Sequence, residues 1–289
     1  MRKPIVWYES FEKKTLEYQI AKLKVFNCRF SNTGYSKQTG NQIIMILFLT
    51  SSPTGEYRSD EPAEFAGFDP SNGMVEELRR YWTPDSRCLL IAAFPDAFEE
   101  NEEMRSYFEG VLEATGLSAV CLDLCDRRNG EEAVQDLHSY DMIILSGGHV
   151  PTENDFFMEI GLPEQIRDFD GIVMGISAGT MNCAEIVYAQ PEEPGEADSE
   201  DYRKFIPGLG LTKYNILPHY QAVKDDYVDG KRLYEDITIP DSMGHTFYAI
   251  VDGTYLLQTE DGAEIRGEAY RISDGTMTMI SSEGDVYSL

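Results

Sequence analysis

The chain has few histidines, few cysteines, little positive charge and no long hydrophobic run, and each shortage removes a class of function. Its longest apolar run, Ile43 to Leu49, is too short to span a bilayer. The five cysteines (Cys28, Cys88, Cys121, Cys125, Cys183) are scattered and include no C-x-x-C pair. An odd set with no secretory signal ahead of it predicts reduced thiols in a cytoplasmic protein, not a disulfide framework or a zinc site. Lys and Arg number 24 against 51 Asp and Glu, a net charge of −27. The imbalance is uneven: residues 1–44 hold 8 Lys/Arg and 3 Asp/Glu, net +5, which leaves −32 on the remainder. So acidic a body repels phosphate backbones and anionic membranes, which argues against nucleic-acid and membrane partners. There is no phosphate loop, dinucleotide fingerprint or metal-ligand spacing, so neither a cofactor nor a metal is expected. With only four histidines (His138, His149, His219, His245), the choice of a general base is narrow.

What remains is an ordinary globular composition, 42% hydrophobic and 26% charged over 289 residues, enough to bury a substantial core. The basic, aromatic first 44 residues read as an N-terminal extension to a domain spanning 45–289. From Met45 onward, continuous apolar runs at 45–50, 87–94, 118–123, 141–146 and 171–176 alternate with helical patterns at 72–82, 99–115, 130–138 and 152–168. Uninterrupted apolar strands are expected where helices cover both faces of a parallel sheet. The pattern predicts an α/β fold, a three-layer αβα sandwich around a mostly parallel, doubly wound sheet. Past residue 245 short strands are separated by Asp252-Gly253, Asp261-Gly262 and Asp274-Gly275, a strong hairpin signal. They predict C-terminal antiparallel hairpins closing one sheet edge, structural in role.

Chemistry concentrates at 171–183, GIVMGISAGTMNC. An apolar strand enters a turn in which Gly175 and Gly179 flank Ser177, and a small-residue helix start leaves it. A strand, sharp turn and helix around G-x-S-x-G is how a hydrolase presents a nucleophilic serine. Such a serine needs a base, a group that orients the base, and donors for the developing oxyanion. Gly147-Gly148, after the strand at 141–146, lets backbone N–H groups approach a ligand; with the Ala178 N–H, Gly148 would form an oxyanion hole. His219, at the end of a short apolar run 42 residues past the serine, is the best candidate base. His149 follows the glycine pair and is expected, with Gly147, to line the substrate pocket. His138 reads as solvated and His245 as structural. For the orienting acid, residues 190–201 offer six carboxylates, Glu192 and Glu193 among them, and Glu185 is a further option.

The glycine pair, the G-x-S-A-G elbow and the later histidine, in that order, resemble the dipeptidase E and cyanophycinase family of serine peptidases. That family has a class I glutamine amidotransferase-like fold, and the resemblance runs from about Met45 to the C-terminus. It implies that Ser177 attacks, His219 shuttles the proton, and the Gly148 and Ala178 amides hold the oxyanion. The family's acid lies about fifteen residues after the serine, which falls on Glu192. A small peptide is the implied substrate, and a homodimer is the assembly to test. The chain departs from the family in two places. His149 stands where Gly-Gly-Asn is common. Gln221, Ala222, Val223 and Lys224 follow His219 where aspartyl-specific members carry an arginine, and Lys224 offers at most a point charge there. The other readings are a non-catalytic binding or sensing protein on the same fold and an α/β-hydrolase esterase. A glutamine amidotransferase would need cysteine at the elbow.

Overall fold

The computed structural model describes residues 45–55 and 67–289; the proposed extension at 1–44 lies outside the described residues. The first half alternates strand and helix: β1 (Ile46–Thr50), α1 (Met74–Tyr81), β2 (Arg87–Ile91), α2 (Phe98–Thr115), β3 (Cys121–Cys125), α3 (Gly130–Val134), β4 (Met142–Leu145), α4 (Val150–Glu159), α5 (Leu162–Ile166), β5 (Ile172–Ile176) and α6 (Ala178–Asn182). Shorter pieces follow: β6 (Ile186–Tyr188), β7 (Phe205–Pro207), β8 (Asn215–Leu217), α7 (Tyr220–Val223), β9 (Tyr227–Val228) and β10 (Lys231–Arg232). A π-helical turn (Leu233–Thr238) runs into α8 (Ile239–Asp241). Strands then dominate: β11 (Thr246–Ile250), β12 (Tyr255–Thr259), β13 (Gly262–Arg266), β14 (Ala269–Ser273), β15 (Thr276–Ser281) and β16 (Val286–Ser288).

The central sheet has eight strands in the order β16-β13-β12-β1-β5-β4-β2-β3. From β1 to β3 every pairing is parallel; β12, β13 and β16 extend the sheet antiparallel beyond β1. The apolar runs are continuous because alternate residues feed two cores. On β1, Leu47 and Leu49 pack with Phe156, Phe157, Leu162 and Ile166 of α4 and α5 on one face. Ile46 and Phe48 pack with Val75, Leu78, Phe108 and Val111 of α1 and α2 on the other. Each such fully buried side chain contributes about 1.5–3 kcal/mol of transfer free energy, so the two layers clamp the sheet from both sides. Helix α2 shows how the sequence ends an element. Its first turn carries Glu99 and Glu100 against the positive helix end, and Gly116 leaves the helix at φ 74°. There the Gly116 and Leu117 N–H groups close onto the Glu113 and Leu112 carbonyls, which only a residue comfortable at positive φ allows.

The C-terminal strands correct the expectation of a single edge meander. Two hairpins form as read, β12-β13 and β14-β15, but they lie in different sheets. A second sheet has the order β15-β14-β11-β8, with β11 parallel to β8. The chain leaves that sheet after β11, turns at Asp252-Gly253, and enters the central sheet as β12 beside β1. That turn therefore stands where the two sheets meet, at the carboxyl ends of β1, β8 and β11.

Candidate active site

Five strand ends converge here. Ser51 follows β1, Gly147 and Gly148 follow β4, Ser177 follows β5, His219 follows β8 by two residues, and Asp252 follows β11 by two. The register makes the convergence compulsory: Thr50 pairs with Ile176, and Ala249 pairs with Leu217. The elbow at Ser177 is strained, with φ 53° and ψ −115°, a backbone geometry that costs of order 1–3 kcal/mol in an L-residue. It is held by its neighbours. Ser177 N–H and Thr180 Oγ1 both donate to the Thr50 carbonyl, at 3.2 and 2.7 Å, and Gly179 N–H donates to the Ser146 carbonyl at 3.1 Å. The flanking glycines are required by crowding, not by dihedral angle. A Cβ at Gly179 would stand 2.4 Å from the Leu145 carbonyl oxygen, and one at Gly175 would stand 2.7 Å from Thr180 Cα. Both obstacles are backbone and cannot step aside.

Ser177 Oγ lies 2.9 Å from His219 Nε2, and His219 Nδ1 lies 2.7 Å from Asp252 Oδ1. Read with the Nδ1–H donating to Asp252, the ring leaves Nε2 free to accept the serine proton. His219 and Asp252 side chains keep 22% and 12% of their exposure, so the pair is largely shielded yet open on the serine side. Burial works against the charge on Asp252. The hydrogen bond and charge of His219, then Ser51 and Gln221, outweigh it and hold the carboxyl below the usual carboxylate range. A backbone contact also fixes the acid, since Asp252 N–H donates to Gln221 Oε1 at 3.1 Å.

The carboxylate behind the imidazole is thus Asp252, and the expectation of Glu192 is corrected. Glu192 is held by the start of α4 and by Glu196 instead. Its carboxylate takes the Val150 N–H beside His149, and its own N–H donates to Glu196 Oε2 at 2.9 Å. Glu193 N–H donates to the same oxygen, so the acidic segment folds around the Glu196 side chain. Asp229 accepts the Gly195 and Ala197 N–H groups and fixes the loop there. Glu185 is exposed on a groove with Thr212, Lys213 and Gln258. Gln258 pairs with Leu47 near the start of β1, so that groove lies away from the serine.

Of the remaining predicted positions, Gly147 and Ala178 adjoin Ser177. A Cβ on Gly147 would lie 3.0 Å from Ser177 Cβ, and one on Gly148 would meet Ala93 Cβ at 2.7 Å and Phe94 Cε2 at 2.8 Å. Ala178 opens α6 directly after the serine. His149 caps α4 with its ring engaged at both nitrogens, 2.7 Å from Thr152 Oγ1 and 2.9 Å from Glu196 Oε1. Of the other histidines, His138 is exposed near Asp170, and His245 stacks on Phe205 at 4.3 Å. Cys183 is buried with Sγ donating to the Gly179 carbonyl, and burial pushes its thiol up, so it stays protonated. Gln221 is committed to Asp252, and Lys224 is exposed. Among the described residues no three His, Cys, Asp or Glu side chains are grouped as metal ligands, and no helix is long and apolar enough to cross a membrane.

Fold and site together define a mixed α/β protein with a serine elbow at the carboxyl edge of its sheet. The chain belongs to peptidase family S51, whose sequence model matches residues 86–266, and is a serine-type peptidase. Two solved structures share the fold. One is a peptidase from an acI-B1 Actinobacterium, 15% identical, with a TM-score of 0.57 over 86% of this chain and 98% of that one. The other is a putative peptidase E protein from Listeria monocytogenes EGD-e, 16% identical, with a TM-score of 0.50 over 82% of this chain and 100% of that one. Comparison with curated proteins gives no match.

Proposed function

We propose that the chain hydrolyses short peptides through an acyl-enzyme, with Ser177 as nucleophile, His219 as general base and acid, and Asp252 as the orienting carboxylate. The observation that carries this is the pair of contacts on one imidazole, 2.9 Å to Ser177 Oγ and 2.7 Å to Asp252 Oδ1. As Ser177 Oγ bonds to the scissile carbonyl carbon, its proton passes to His219 Nε2. The developing oxyanion is held by the Ala178 and Gly148 amides, which the fixed backbone presents without reorganisation. His219 then gives its proton to the leaving amine as the C–N bond breaks. A water attacks the ester by the same route, His219 taking its proton and returning it to Ser177 Oγ as the acid product departs. Asp252 keeps its charge throughout and stabilises the imidazolium that forms twice per cycle.

Gly147 adjoins the serine, and Gly148 after it packs against Ala93 and Phe94. Neither Gln221 nor Lys224 offers a buried cation after His219, so aspartyl-dipeptide selectivity is not part of the reading. The test is hydrolysis of a mixed short-peptide library, with labelling by a fluorophosphonate, in the full chain and in Ser177→Ala. Loss of both in the variant, with an unchanged melting temperature, is expected. Turnover that survives the substitution would refute the assignment, and a folded wild-type chain silent to the probe would favour a binding role.

A further inference from the structure

We propose that Ser51 is a positioning residue for the Ser177–His219–Asp252 array, a reading that rests on the proposed function above. Ser51 is the first residue after β1 and is fully buried. Its single hydroxyl faces both partners of the serine. It accepts the His219 backbone N–H at 2.7 Å and donates to Asp252 Oδ1 at 2.6 Å, and its oxygen stands 3.3 Å from His219 Nδ1. A hydroxyl has one proton and two lone pairs, so these contacts use its donor and at least one acceptor position.

Both contacts fall on groups that need them. His219 has φ 59°, the left-handed region, which a non-glycine residue adopts only when its surroundings hold it. Its N–H would be left without an acceptor if the hydroxyl were lost. Asp252 Oδ1 is the oxygen that the ring also addresses, so the serine proton fixes the carboxylate rotation that faces Nδ1. Ser51 lies 168 residues from His219 and 201 from Asp252, and it extends from β1 of the central sheet, whereas the other two follow strands of the second sheet. Its hydroxyl therefore ties the base and acid to the strand beside the nucleophile's own. Ser51 touches no reacting atom and acts through the imidazole and the carboxylate.

The experiment uses the full chain, a fluorophosphonate as probe of Ser177, and proton NMR of the His219 Nδ1–H, whose resonance lies far downfield when it is hydrogen-bonded to a carboxylate. In Ser51→Ala the maximal labelling rate should fall about 10- to 100-fold, the effect of one hydrogen bond to a charged group, with the half-saturating probe concentration within about two-fold. The downfield proton should broaden or vanish, while the melting temperature falls only by the few degrees that one unsatisfied buried N–H costs and the chain stays folded at the assay temperature. Ser51→Cys keeps the shape with a weaker donor and should fall between; it decides the matter if the alanine variant fails to fold. Labelling at the wild-type rate with the downfield proton in place would overturn the proposal. So would a rate loss no larger than the fraction of the variant unfolded at the assay temperature. The NMR comparison needs no turnover, so it still decides the role of Ser51 if the wild-type chain is not labelled, an outcome that would instead count against the peptidase reading.

Discussion

Replacing Asp252 by asparagine is the sharpest test of the site, because it separates two carboxylates with different geometric claims. The carboxylate lies 2.7 Å from Nδ1, and the imidazolium charge that forms during attack is centred about 4 Å from it. At an effective dielectric of about 20 that interaction is worth roughly 4 kcal/mol, or about three decades in rate. An amide at this position also favours the wrong ring tautomer, because it can donate to Nδ1 and so place the ring proton on Nε2. Loss of the equivalent carboxylate in a trypsin-like triad costs about 10⁴-fold, which brackets the expectation at about 10³- to 10⁴-fold. The loss should fall on the maximal rate of peptide hydrolysis and of fluorophosphonate labelling, with apparent substrate affinity retained. Glu192→Gln should cost less than about ten-fold, since that side chain meets the Val150 N–H and not the imidazole. The reasoning is refuted if Asp252→Asn stays within ten-fold of wild type, or if Glu192→Gln falls to the same level.

Three further outcomes follow from the packing. Gly148→Ala forces a Cβ to 2.7 Å from Ala93 Cβ and should displace the amide, lowering the catalytic rate about 10²- to 10³-fold at little change in KM; an unchanged rate would remove Gly148 from the oxyanion site. Gly179→Ala drives a Cβ against the Leu145 carbonyl oxygen and should lower the melting temperature by several degrees or prevent folding, as read by thermal denaturation. Glu153 is fully buried, with only Asn182 Nδ2 on its carboxyl, and burial pushes its pKa well above the usual range. The folded chain therefore keeps a proton that the unfolded chain releases above about pH 4.3, so this group lowers stability as pH rises beyond that point. Glu153→Gln removes the effect, and its melting temperature relative to wild type should be higher at pH 8 than at pH 5; parallel curves would contradict the buried neutral acid.

The parts of the site that were legible from the sequence are local. A serine elbow needs small residues within two positions of the nucleophile because backbone atoms pass within van der Waals distance, so Gly175, Ser177 and Gly179 announce the turn together. Gly147-Gly148 and His219 each sit at the end of an apolar run, where a parallel sheet delivers its loops. Asp252 was invisible for a different reason. Asp-Gly is sufficient by itself to make a turn, so nothing local distinguishes an aspartate that only turns the chain from one that also faces an imidazole. Ser51, in a Ser-Ser pair after a buried strand, carries no local signal either. The acidic segment at 190–201 misled through abundance: carboxylates stood at the expected spacing, yet they fold around Glu196 and Asp229 instead of reaching the ring.

Taken alone, the sequence determined the alternating strands and helices between 45 and 182 and the two C-terminal hairpins, but not the short pieces between 186 and 241, because hydrophobic period and turn chemistry are properties of neighbours along the chain. It also pointed to Ser177 and His219, the proposed nucleophile and base. Only the tertiary structure decided which strands pair, placing β11 beside β8 in one sheet and β12 beside β1 in another. That choice brings Asp252 to His219 across 33 residues and Ser51 to both across far more. The period of a strand fixes which face is buried, but partner and register depend on how two cores are filled at once, and no single stretch of residues carries that information.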